Sequence, residues 1–392
     1  MAIERRYRIT AFIFLLMVGA QLGTDIYLPS FPAMAIDLHT SHMYIQWSLG
    51  FFFFAYGVTQ LFYGPLADRF GRKYPLLVAL SIYALGSVLA MLAPSIEVLL
   101  LARLLQGLGA GGCSVLPRAI MRDVFSGKEL QKINIYQGAI WSMMFLIAPL
   151  IGGYIQHYLG WRENFACILV VILAGLIASV YFKETHHPQE VHSLKLGHVL
   201  KEYAEILSHP KFWPALLGAA IGSGAFVIFI VFIAIFLPKT LHFSPIQFGW
   251  CLGILSIGYM IGLVLSHRLM NRMPSTTLMR LGIILVALPT VSMVLFGLFA
   301  PQSVFFLINL FVMQIGIAII FPLTTAAGLH LFPHKAGKAA AILGCTIFMS
   351  NLLASLIVSF IPNDTWLYMS LVYLVVTALL VFSYLKLKAQ SE

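Results

Sequence analysis

Twelve long apolar runs, almost free of charge, divide this chain. They cover roughly residues 9–29, 44–65, 74–94, 97–118, 133–156, 164–183, 213–237, 245–266, 276–297, 301–323, 337–360 and 364–385. Each is close to the ~20 residues an α-helix needs to cross a hydrocarbon layer of ~30 Å. Only 10% of the 392 residues are Asp, Glu, Lys or Arg, and 60% are hydrophobic, whereas a soluble domain carries about 25% charged residues. A surface this poor in charge cannot stay wetted, but it can face lipid. In lipid each segment must satisfy its own backbone, and a helix does so. The expectation is an all-α membrane protein of twelve transmembrane helices. Cys113, Cys167, Cys251 and Cys345 each lie singly inside an apolar run and read as small packing residues. The first run has no A-x-A-type cleavage site, so the first helix is expected to be retained.

Basic residues set the expected orientation. Of the 24 Lys and Arg, Arg162 and Lys239 fall on one set of loops, and Arg103 lies inside a run. All the others lie on the opposite set of loops, which includes both termini. By the positive-inside rule both termini are expected in the cytoplasm. The same loops account for the net charge of +10. Contact with anionic membrane lipid explains such a charge, and no pattern points to a nucleic-acid partner. Six runs, a polar stretch and six more runs suggest a duplicated transporter. The expected domains are a six-helix bundle over 1–183, a solvated cytoplasmic linker over 184–212 and a second six-helix bundle over 213–392. His39, His42, His186 and His187 lack metal-ligand spacing, and no metal site is expected.

Between the second and third runs lies Gly64-Pro65-Leu66-Ala67-Asp68-Arg69-Phe70-Gly71-Arg72-Lys73. Gly64 permits close approach of helices and Gly71 a tight turn. The segment resembles the signature loop of the major facilitator superfamily at every defining position. Leu101-Ala102-Arg103-Leu104-Leu105-Gln106-Gly107 resembles that family's R-x-x-q-G motif. Ala148-Pro149-Leu150-Ile151-Gly152-Gly153 resembles its antiporter motif, with Ala148 where glycine is usual. Asp25-Ile26-Tyr27-Leu28-Pro29, Pro117-Arg118-Ala119-Ile120-Met121-Arg122-Asp123 and Gly160-Trp161-Arg162-Glu163-Asn164-Phe165 are similar to segments of the Bcr/CflA branch of bacterial drug:proton antiporters. The second half is less specific: Ser266-His267-Arg268-Leu269-Met270-Asn271-Arg272 echoes the signature loop without its aspartate. The resemblance implies two pseudo-symmetric six-helix bundles, a multi-pass protein of the bacterial inner membrane, alternating access, and a proton as coupling ion with no other cofactor.

Asp25 lies about 16 residues, or ~24 Å, from the basic edge of its span, and Arg103 about 7 residues, or ~10 Å, from the opposite edge of its own. One acid and one base thus reach similar depth in an otherwise uncharged core. Intramembrane charges are costly and mark functional sites. Asp25 is therefore expected to be the protonation site, with Arg103 its charge partner. Gln21, one turn before Asp25, shares its face and is a candidate cavity residue, with Tyr27, Tyr56, Tyr136, Gln137 and Trp141. A cytoplasmic gate is expected from Gly64, Asp68, Arg69, Gly71 and Arg72, with Asp68 meeting Lys338 at the start of the eleventh run. Arg118, Arg122 and Asp123 are expected to complete it.

The function these features imply is proton-coupled export of small organic molecules, lipophilic or cationic, by a monomer acting in multidrug efflux. A dedicated metabolite or siderophore exporter shares the same motifs, and a passive channel or receptor is the alternative of another class. H-E-x-x-H, P-loop and G-x-S-x-G sequences are missing, which argues against an enzyme and an ATP-driven pump.

Overall fold

The computed structural model describes residues 2–186, 196–270, 272–299 and 305–389. Among the described residues, twelve helices are long and apolar enough to cross a membrane. The first half contains α1 (Ala2–Asp25), the short α2 (Phe31–Asp37), α3 (His42–Phe70), α4 (Lys73–Met91), α5 (Ile96–Val124), α6 (Gly127–Tyr158) and α7 (Arg162–Tyr181). A further short helix, α8 (Leu196–Leu207), leads into the second half. That half contains α9 (Phe212–Thr240), α10 (Pro245–Leu269), α11 (Ser275–Phe299), α12 (Phe305–His330), α13 (Ala336–Ser359) and α14 (Leu367–Lys388). The turn expected at Ala300-Pro301, and His187, Glu190 and Lys195 of the linker, lie outside the described residues.

The two halves repeat one packing pattern. In the first, α1 packs on α5, α6 and α7, α5 packs on α3 and α4, and α4 packs on α7. In the second, α9 packs on α12, α13 and α14, α12 packs on α10 and α11, and α11 packs on α14. The halves meet mainly through α3 on α13 and α6 on α10. By position in the repeat α3 corresponds to α10 and α6 to α13, so the two main contacts exchange under a pseudo-twofold axis.

Lipid tails are as apolar as leucine, so close packing rather than water exclusion holds such helices together. Small residues supply the closeness. A side chain on Gly109 of α5 would collide with Tyr83 and the Ala79 carbonyl of α4, and one on Gly262 of α10 would collide with the Ile315 carbonyl of α12. Hydroxyl-to-carbonyl bonds add to this: Tyr83 Oη donates to Gly19 O at 2.9 Å, and Tyr373 Oη to Ala225 O at 2.6 Å.

The segment expected to be a solvated linker is in part a packed helix. Ile206 of α8 is buried, with Phe212 and Leu343 in the same cluster. Tyr203 Oη donates to Leu61 O of α3 at 2.8 Å, while Glu202 pairs with Lys338 and Glu205 with Lys335, both of the second half. The polar composition concealed one apolar face of a short amphipathic helix.

Glu184, also in that stretch, caps α4. Its carboxylate accepts the backbone N–H groups of Arg72 at 2.9 Å and Lys73 at 3.0 Å, and those of Thr185 and His186. Gly71 turns the chain there at φ +80, and a side chain on it would press into that carboxylate. Burial alone would raise the Glu184 pKa, but the four donors outweigh it and hold the group below the usual carboxylate value. A depressed folded-state pKa means stability that is present above the unfolded value and lost as pH falls through the folded one. Glu184→Gln is therefore expected to melt below wild type at pH 7, with the gap closing under acid conditions. Thermal unfolding at both pH values checks this.

Candidate functional site

Helix α1 ends at Asp25, earlier than the apolar run itself, because the chain turns there into a 3-10 segment, Leu28–Ser30, with Pro29 in its first turn. Asp25 is only 3% exposed. The i, i+4 spacing sets Gln21 beneath it, and Gln21 Nε2 donates to Asp25 Oδ2 at 2.6 Å and to Thr24 Oγ1 at 3.1 Å. The carboxylate edge, with Gln21 and Thr24, faces a cavity between the two halves.

Arg103 does not pair with Asp25, contrary to the expectation from matching depth. It is fully buried, and its Nη2 donates to Gly23 O at 2.7 Å while Nη1 donates to Gln106 Oε1 at 2.6 Å. The last carbonyls of a helix have no partner within it, so Gly23 O is an acceptor the guanidinium can use. The guanidinium carbon lies 4.4 Å from the ring centre of Tyr27 and 4.3 Å from that of Phe52, distances typical of cation–π contacts. Gln106 passes the bond on to Ser87 Oγ at 2.9 Å. Two charges at one depth can lie on different helix faces, and depth alone does not say which.

Four sequence motifs converge on this turn. Gly152 lies against the Ile26 carbonyl, where a side chain would collide, and Gly153 lies against the Pro245 carbonyl of α10. The Pro149 carbonyl in turn lies beneath Gly249, and Ala148 is buried beside it. Trp161 Nε1 and Arg162 Nη1 both donate to Asp37 Oδ2, at 3.0 and 2.5 Å. Asn164 Nδ2 donates to Ser30 Oγ at 2.9 Å, and the Phe165 ring lies 5.4 Å from that of Tyr27. The segment from Asp25 to Asp37 is thus held from three sides. Gly152→Ala is expected to cost about 1–3 kcal/mol by overpacking. Gly138→Ala, on the same helix with nothing within 4 Å of the added atom, is expected to be neutral or stabilising by up to ~1 kcal/mol. Melting temperatures of the two variants check the contrast.

The cavity has a volume of about 540 Å³. Of the cavity candidates Gln21, Tyr56, Gln137 and Trp141 line it, and Tyr27 and Tyr136 do not. Tyr27 is buried beneath Arg103, its hydroxyl 3.3 Å from Ser48 Oγ. Tyr136 is exposed, with Lys132 Nζ 5.8 Å from its ring centre, because it projects from the outward face of α6. Phe226, Tyr259, Phe321 and Phe348 of the second half complete the wall. Among 30 Phe and 16 Tyr nothing in the sequence marks these four. Asp25 is the one carboxylate and Arg118 the one Lys or Arg among the described residues lining the cavity.

At the end away from the basic loops the two halves are sealed. Trp47 Nε1 donates to Ser359 Oγ at 3.0 Å and Ser355 Oγ to Gln46 O at 2.9 Å, and nearer mid-helix Ser256 Oγ donates to Phe145 O at 3.0 Å. Toward the basic end, Gly64 of α3 and Gly138 of α6 face open space, and the cavity runs in that direction to Leu329 and Ala340.

The charges at the basic end are wired differently from expectation. Asp68 meets Arg72, at 2.7 Å, and not Lys338. Arg72 also bonds Asp123 through Nε at 2.8 Å, joining the ends of α3, α4 and α5. Lys338 pairs with Glu202 of the packed linker helix, which competes for the same cation. Gly64 makes no close approach in this arrangement. Arg69 lies over Phe70, 4.9 Å from its ring centre, and Arg122 reaches toward Gly337. Arg118 lies on the cavity wall and takes no part in the charge network below.

Comparison with known proteins yields one family. The model described as Major Facilitator Superfamily matches residues 13–355, with a second match over 228–390. The multidrug resistance protein D of Escherichia coli (strain K12) is 30% identical over 347 residues, covering 87% of this chain and 86% of that protein. The chloramphenicol resistance protein of Pseudomonas aeruginosa is 29% identical over 369 residues, covering 92% and 86%. A crystal structure of a D-xylose-proton symporter superposes with a TM-score of 0.78 over 97% of this chain and 96% of that one, at 15% identity. At that identity the likeness speaks for the fold.

Proposed function

Because this chain belongs to the major facilitator superfamily, a family of membrane transporters and not of enzymes, we propose that it is a proton-coupled exporter of small organic molecules, acting in multidrug efflux. The observation that carries this reading is Asp25: a buried carboxylate with no cation paired to it among the described residues, held by neutral donors at the wall of an aromatic cavity. Such a group can trade a proton for a cargo. The names of the relatives, multidrug resistance protein D and chloramphenicol resistance protein, agree with drugs as cargo and favour this reading over a metabolite exporter or a channel.

In this reading the halves 1–183 and 213–392 rock about the cavity, and the basic end, with both termini, faces the cytoplasm of a bacterial inner membrane. The open basic end and sealed far end then correspond to an inward-facing state. Cargo entering from the cytoplasm meets Asp25 and displaces its proton. After the halves rock, a proton from the more acidic outside displaces the cargo, and the neutral carboxyl resets the cycle. Asp68, Arg72, Asp123 and Lys338 belong to the cytoplasmic gate: the pairs they make here, Asp68–Arg72–Asp123 and Lys338–Glu202, are those of the open gate, exchanged for contacts between the two halves when it closes. A monomer contains every part of this cycle.

The test is transport into proteoliposomes under an imposed pH gradient, with a panel of lipophilic cationic and neutral drugs. Uptake against a concentration gradient that collapses when the pH gradient is dissipated is expected. Uptake that never exceeds equilibration, with or without the gradient, would overturn the reading in favour of a channel.

A further inference from the structure

Arg118 is a second intramembrane cation, and nothing in the coupling scheme uses it. It projects from α5, half-buried, into the cavity wall. Its depth, six residues from the end of α5 at Val124, is about 9 Å from the basic edge, or ~15 Å from the level of Asp25. Its Nε donates to Ser114 O at 2.9 Å, and Nη2 donates to Ser114 Oγ at 2.8 Å and to Gln60 Oε1 at 3.2 Å. All three acceptors are neutral. Among the described residues no carboxylate pairs with Arg118, and no acceptor takes its Nη1. Beside it, the Nε2 of Gln60 is buried and without a partner. Gln60 is itself buried, and Gly344 of α13 leaves it room, since a side chain there would press on Gln60 Oε1 at 2.9 Å. Above lies a flat wall, the rings of Tyr56 and Phe348 stacked 3.9 Å apart at 19°.

A guanidinium without a counter-charge and an amide N–H without an acceptor are each costly inside a membrane protein. An oxygen-rich acceptor brought by the cargo relieves the first directly at Arg118, while Gln60, whose Nε2 is closed off from the cavity, positions the guanidinium through Oε1. A carboxylate fits the donor set best, since a guanidinium binds it in a planar, charge-assisted geometry. We infer that Arg118 and Gln60 form an acceptor subsite of the cavity, selecting cargo that carries a carboxylate or equivalent oxygen group on an aromatic body. This rests on the reading of the cavity as the cargo site. It narrows the cargo from lipophilic cations in general to amphoteric molecules, with a basic end toward Asp25 and an acidic end toward Arg118.

The experiment is equilibrium binding to purified protein in detergent, so that it does not depend on coupling or on export. The probes are norfloxacin, an aromatic zwitterion, and its analogue lacking the carboxylate. Wild type is expected to bind the acid ~10-fold or more tightly than the analogue. In Arg118→Met, and to a lesser degree in Gln60→Leu, that ratio is expected to fall to about one. Gln60→Leu keeps the test alive if Arg118→Met fails to fold. Equal binding of the two probes by wild type, no binding of the acid, or a ratio that survives both variants would overturn the inference. Wild type that prefers the acid, with the preference lost in the variants, but that shows no gradient-driven transport would instead overturn the exporter reading and leave the subsite standing.

Discussion

Asp25→Asn is expected to leave a folded, cargo-binding protein that can no longer concentrate its cargo. Asparagine keeps the size and an acceptor for Gln21, whose bond to Oδ2 measures 2.6 Å, so the end of α1 should hold its shape. What the variant loses is the exchangeable proton. One pH unit is worth 1.36 kcal/mol per proton, so a one-for-one exchange supports ~10-fold accumulation for each unit of gradient. In proteoliposomes wild type should reach that ratio, while Asp25→Asn should stop at equal concentrations and show a flat pH profile. A variant that still concentrates cargo with an unchanged pH profile would remove Asp25 from the mechanism.

Arg103 variants are expected to fail for a different reason. The side chain joins the last carbonyls of α1 to α5 and stacks between Tyr27 and Phe52. Removing it leaves Gly23 O and Gln106 Oε1 without donors in a dry interior, a loss of about 3 kcal/mol when charged hydrogen bonds and cation–π contact are taken together. Arg103→Lys should recover little, because one ammonium cannot reach two acceptors with a planar fork while lying flat between two rings. The melting temperature in detergent should drop for both Arg103→Met and Arg103→Lys. A double-mutant cycle with Asp25→Asn separates this geometry from a direct ion pair. Coupling below ~0.5 kcal/mol is expected for groups that share no bond, whereas a coupling of several kcal/mol would restore the pair.

The two residues also show where reading the sequence stops. Asp25 and Arg103 stand out in one dimension because charge in a span is rare, and both are buried in the structure. Their relation to each other was not legible. Helix rise gives depth from a count of residues, but the rotation of one helix against another depends on packing around the whole bundle. Tyr27 and Tyr136 show the same limit. Each looks like any aromatic near a polar motif, yet one is sealed beneath Arg103 and the other turns outward. Asp68 could meet Lys338 on paper only because the folding of α8 between them, with Glu202 on Lys338, leaves so faint a pattern in a polar stretch.

The sequence by itself determined that the chain crosses a membrane twelve times, which ends carry the positive charge, and which family its loops resemble. These properties are local sums: hydropathy over a window of about 20 residues, charge over a loop, spacing within a motif. Only the tertiary structure decided that the motifs at Asp25, Arg103, Gly152 and Trp161 are parts of one lock. It also turned Arg118 into the cavity and left its charge without a carboxylate partner among the described residues. Those outcomes depend on which helix faces which, and in a bundle held by close packing that is set by all the small residues together and by no single stretch of chain.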